Sequence, residues 1–236
     1  MSLKIATFIS AILIAGLVVM ILLPTLKQIV FERKQASPEL GHSGPTTTVT
    51  PNLETQIETL NKLGLKLKPG ISKNDVLDGW SIEDFENQPY SFLLYVMGTE
   101  VSKNGSWQFL SNSTWDFDTE YIHGNGSYVS LVNNLARLTD NPDLIIGVKD
   151  TFEFSKKTAT VTYNVRGETR RAKVKVRSDW VDPNFIDKIL KEITAASNDG
   201  RRFYGRDNGQ AITLTFIDPQ TKAKIDQLTP GTLNPL

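Results

Sequence analysis

The stretch from Ser113 to Tyr128, STWDFDTEYIHGNGSY, sets three carboxylates, Asp116, Asp118 and Glu120, at alternate positions, with His123 just downstream. Carboxylates so spaced could approach a divalent cation or divide acid and base duties, with His123 as a fourth participant. Strand geometry narrows that reading. Successive side chains alternate, so the three acids share one face, Trp115, Phe117 and Tyr121 share the other, and His123 falls on the aromatic parity. Same-face neighbours stand about 7 Å apart, whereas a hard cation wants six or so oxygens, and the loop and glycine of a calcium motif are missing. The row is expected to be the solvated face of a strand. A catalytic site built on Asp116, Asp118, Glu120 and His123 is the alternative, and no metal site or cofactor is assigned.

A second cluster is basic. Arg171, Lys173, Lys175 and Arg177 occupy one face of a strand whose other face is Ala172, Val174 and Val176, with Arg166 and Arg170 beside the preceding turn. Such a stripe could grip phosphates, but no aromatics interleave it for base stacking, so nucleic acid is not expected as a partner. The two stripes could lie on the same side of one sheet as cross-strand charge pairs. In RSDWVD, just beyond, Asp182 reads as a helix cap, Trp180 as a plug for the core and Asp179 as unassigned. Arg171, Lys173, Lys175, Arg177, Asp179 and Trp180 are the candidate binding residues.

Nucleophile and nucleotide motifs fail. GHSG at Gly41 lacks the spacing of a nucleophile elbow, and GNGSYV at Gly124 lacks the third glycine of a dinucleotide fingerprint. The latter reads as a turn followed by Ser127 as an N-cap. The chain has no cysteine, which excludes disulfides, thiolate metal sites and cysteine nucleophiles together.

The elements that must position these residues are legible in the hydrophobic pattern. Leu53, Ile57, Leu60 and Leu63 mark a helix ending at Gly64. Ser72 with Asp75 and Ser81 with Asp84 are capping boxes, and Pro89 divides or kinks the helix that the second one opens. Tyr128, Leu131, Val132, Leu135 and Leu138 mark another helix. Three strands are expected at 144–154, 158–165 and 169–177, the last two joined as a hairpin through Arg166-Gly167-Glu168. Asp182-Pro183 and Asp218-Pro219 each open a helix, and Asn208-Gly209 turns a second hairpin. Hairpins with interspersed helices predict an α+β fold, a mainly antiparallel sheet packed by helices, over residues 53–229, with a loose tail at 230–236.

Acidic and basic residues balance at 26 each, so no global field selects a partner. Residues 5–23, IATFISAILIAGLVVMILL, are apolar throughout apart from Thr7 and Ser10, long enough to span a bilayer, and followed by no small-residue cleavage site. Residues 1–34 are therefore expected to be a single-pass anchor in the lipid bilayer and its flank. Residues 35–52, rich in Pro, Ser and Thr, read as a flexible spacer. Lys27, Arg33 and Lys34 against Lys4 would keep the domain in the cytoplasm, but long domains translocate with little regard to charge, and the spacer favours a domain held off the outer surface. Asn104, Asn112 and Asn125 head N-x-S/T triplets. The expected function is a non-catalytic protein-interaction module, of accessory, envelope or immunity type. The alternatives are a membrane-tethered metal-dependent hydrolase and a structural envelope module.

Overall fold

The computed structural model describes residues 50–236. The expected anchor and nearly all of the spacer lie outside the described residues, within which no helix is long and apolar enough to cross a membrane. The described chain is α+β, with antiparallel sheets packed by helices.

Helix α1 (Leu53–Lys62) starts at Asn52, whose side chain accepts the Thr55 N–H at 2.9 Å. The expected capping boxes open α2 (Lys73–Val76) and α3 (Ile82–Asn87). Pro89 separates α3 from α4 (Ser91–Met97), and Tyr90 between them has φ 61°. That conformation is costly for an aromatic residue. It is held by the fully buried Gln56, whose Oε1 accepts the Tyr90 N–H at 2.9 Å while its Nε2 donates to the carbonyls of Pro51 and Phe85.

A hairpin follows, β1 (Glu100–Lys103) and β2 (Ser106–Phe109), and then β3 (Thr114–Asp118). Helix α5 (Ser127–Arg137) leads to β4 (Ile145–Glu153), β5 (Thr158–Val165) and β6 (Glu168–Lys175). The β5–β6 turn has positive φ at Arg166 and Gly167, the two-residue geometry that matches strand twist. Arg166 also donates from Nη2 to the Ala195 and Ala196 carbonyls, both at 2.8 Å. It thereby caps α6 (Pro183–Ser197), which Asp182 and Pro183 open as expected. The chain closes with β7 (Arg202–Asp207), β8 (Ala211–Ile217), α7 (Pro219–Leu228) and β9 (Asn234–Pro235).

One mainly antiparallel sheet was expected; among the described residues there are three, β1-β2, β3-β8-β7-β9 and β4-β5-β6. The four-stranded sheet is a wall between two cores. Phe117, Phe203, Leu214 and Phe216 face a core shared with α5, α6 and the inner side of β4-β5-β6. Tyr204 and Ile217 face a second core filled by Leu60, Phe85, Leu93, Met97 and Ile225 from the other helices. Each such buried side chain contributes about 1.5–3 kcal/mol of hydrophobic stabilisation. Residues 230–236, expected as a loose tail, instead carry β9, which pairs with β7, and the buried side chain of Leu233.

Candidate functional site

The acidic row does not meet the basic row. β3 belongs to the four-stranded sheet and β6 to the three-stranded one, so the expected cross-strand charge pairs do not form. Asp116 stands opposite Thr213 on β8, which stands opposite Arg206 on β7.

Nor is the acidic row one solvated face. Asp116 is half-buried and accepts a 2.9 Å hydrogen bond from the Thr213 hydroxyl, which in turn accepts one from Asn208 Nδ2 at 3.1 Å. Burial pushes the Asp116 carboxyl upward, the Thr213 hydroxyl opposes the shift, and neighbouring Asp118 reinforces it. Asp118 is exposed, and its Oδ1 accepts the Glu120 N–H at 2.9 Å, folding the chain back as an Asx turn that ends the strand. Glu120 belongs to an isolated bridge with Trp180, and the exposed His123 lies in the loop beyond. Among the described residues no group of three or more His, Asp and Glu side chains is arranged to hold a metal ion.

What does converge is the pair of segments that follow the two strands. Beyond β3 and beyond β6 the chain runs antiparallel: Ile122 N–H donates to the Asp179 carbonyl at 2.7 Å, and Val181 N–H to the Thr119 carbonyl at 2.9 Å. This seam fastens residues 119–122 to residues 179–181. It brings His123, from the first candidate set, into one pocket with Arg177, from the second. Trp180, expected to plug the core, is instead 46% exposed, because its backbone bridges to Glu120 and its side chain stays outside.

The pocket holds about 260 Å³ and is lined by Ile122, His123, Gly124, Phe152, Phe154, Lys157, Val176, Arg177 and Ser178. Its floor is apolar. Phe152 stacks between Tyr128 (ring centroids 5.7 Å) and Phe154 (5.6 Å), so the aromatic run extends from the core outward to Phe154, which is 67% exposed. Its rim is basic, and none of the His123, Lys157 and Arg177 side chains has an ion-pair partner among the described residues.

Local structure sets these positions. After β4 the chain makes a single 3-10 turn, Phe154–Lys156, closed by Lys157 at φ 51°. Val176 N–H donates to the Lys157 carbonyl at 2.9 Å, which holds the start of β5 against the end of β6. On the opposite side, GNGS is a helix entry, but Ser127 is not its cap: Gly126, at φ 93°, is. The Ser127 hydroxyl accepts the His123 N–H at 3.0 Å, fixing the loop. The helix N–H groups are met by Asp150 of β4, whose carboxylate accepts from Gly126 at 2.7 Å and Tyr128 at 3.0 Å.

Arg171, Lys173 and Lys175 stay outside the pocket on the exposed face of β6. Phe152, Phe154, Lys157 and Ser178 line the pocket but belong to no site motif of the sequence. The available signal was FEFSKK, two phenylalanines at alternate positions followed after one serine by two lysines, in which a strand-parity residue becomes exposed where the strand ends. No protein-family model, no curated protein and no solved structure matches the chain.

Proposed function

We propose that the chain is an N-terminally membrane-anchored, non-catalytic module that binds another protein, and that it seats an acidic, apolar segment of that partner in the pocket beside Phe154. One observation carries the reading: a pocket with an apolar floor is ringed by His123, Lys157 and Arg177, with no carboxylate among the described residues paired to any of them. A site of this chemistry favours a large apolar side chain flanked by carboxylates. Desolvating the apolar body gives affinity, and the rim charges give orientation and rate. Enclosed small-molecule sites usually run to about 300–1,000 Å³ and bury most of their ligand, so a smaller open pocket suits one or two side chains of a peptide.

The test uses the full chain in nanodiscs and a fluorescent peptide with one phenylalanine between glutamates, read by anisotropy. Saturable binding is expected, weakened about tenfold by Arg177→Glu and by Phe154→Ser and unaffected by Lys191→Glu on α6. Equal affinity for a peptide with lysines in place of the glutamates, or indifference to both pocket substitutions with the fold intact by circular dichroism, would refute the reading.

A further inference from the structure

The outer face of β4-β5-β6 is built mainly of cations and threonines. The register lays it out in rows: Lys149, Thr162 and Arg171; Thr151, Thr160 and Lys173; Glu153, Thr158 and Lys175. Rows are spaced about 7 Å along the strands and about 5 Å across them. The opposite face, with Phe152, Ala159, Val161 and Val174, belongs to the core, so the outer one is a field of four cations set among threonine hydroxyls. Glu153 is the acid within these rows, and Lys156 pairs with it. The chain as a whole is electrically neutral, so this is a local concentration of positive charge.

We propose that this face lies against an anionic lipid surface, the headgroup layer of the membrane that residues 5–23 would enter; the inference rests on that reading of the N-terminus. The charge is complementary, and each basic side chain near an anionic surface favours contact about fivefold. The face carries no aromatic side chain on which a base could stack, and a single exposed isoleucine, Ile146, at its end, so it lacks the clustered apolar anchors of a protein interface. In the sequence, residues 24–49 lie between the apolar run and the described fold. The competing account is that lysines only blunt the open edges β4 and β6 against pairing.

The two accounts separate in one experiment. Because the chain has no cysteine, Thr151→Cys on the face and Asp187→Cys on α6 each carry a single fluorophore. The full chain is added to nanodiscs of neutral phosphatidylcholine, or of phosphatidylcholine with phosphatidylglycerol, each containing headgroup-spin-labelled lipid. The expected result is quenching at position 151 about twofold or more stronger in the anionic discs, no such difference at position 187, and loss of the effect in Lys173→Glu/Lys175→Glu and at high salt. Equal quenching in both discs, or an effect the double variant leaves intact, overturns the inference and supports edge blunting. Association with neutral discs reports the anchor separately. A chain that binds anionic discs alone, through Lys173 and Lys175, keeps the face and loses the anchor; one that binds neither loses both.

Discussion

Ile122 donates its backbone N–H to the carbonyl of Asp179 at 2.7 Å, joining the segment after β3 to the segment after β6. Each segment alone is a strand that has run out of partners. Together they close the gap between two sheets, and the Ile122 side chain, 5% exposed, fills the space beneath the pocket.

Ile122→Ala is therefore expected to cost about 2–4 kcal/mol in urea unfolding, and Ile122→Val about 0.5–1.5. The alanine variant should also weaken the acidic peptide under conditions where it remains folded. A pocket that binds normally after this truncation would show that Ile122 is not its floor.

Asp150 supplies the carboxylate that meets the first N–H groups of α5, although it lies on β4. Asp150→Ala leaves the Gly126 and Tyr128 N–H groups without their acceptor and is expected to destabilise by about 1–3 kcal/mol. Asp150→Asn keeps an acceptor oxygen and should cost less. The order of urea midpoints, wild type above Asn above Ala, checks the assignment.

Gly98 is needed for space rather than for conformation. Its φ is −81°, open to any residue, but an added Cβ would stand 2.4 Å from the Asp116 nitrogen and 2.8 Å from the Trp115 carbonyl carbon. Both obstacles are backbone of β3, held there by the Asp116 N–H donating to the Gly98 carbonyl at 2.8 Å. Gly98→Ala should destabilise by about 1–3 kcal/mol through overpacking, even though alanine is the better helix former. A neutral or stabilising result would contradict the close approach.

Asp116 gives stability an unusual pH dependence. Burial raises its carboxyl from the ordinary value of 3.8, so the native state binds its proton more tightly than the unfolded state does. Its contribution is therefore most favourable below the unfolded value and is lost as pH rises from about 3.8 through the raised native value. Asp116→Asn, which keeps an oxygen to accept from Thr213, removes that loss. The difference in urea midpoint between variant and wild type should shift in favour of the variant between pH 3.5 and pH 7, and a constant difference would exclude the raised carboxyl.

Local chemistry made much of the fold legible. The capping boxes at Ser72 and Ser81, the Asp-Pro starts of α6 and α7 and the break at Pro89 each act over a few residues, so their consequences can be read without knowing what is nearby. The β1–β2 hairpin obeys the same logic: Asn104-Gly105, with φ 53° and 77°, is a strong two-residue turn signal, in the same residues that head an N-x-S/T triplet. The pocket was not legible in this way. Phe154, Lys157, His123 and Arg177 come from three separate segments, and no spacing rule links them.

The sequence by itself determined most of the helices and the longer strands, and that Lys173 and Lys175 share a face opposite Val174, because periods of 3.6 and 2 are properties of the backbone. Tertiary structure decided which strand lies beside which. It put Asp116 against Thr213 and Arg206 instead of the β6 cations, and it gave Asn234 and Pro235 a strand partner in β7. Strand pairing is settled by the burial of whole faces and by long-range backbone hydrogen bonds. Asp116 and Thr213 are 97 positions apart, and no local preference operates over that distance.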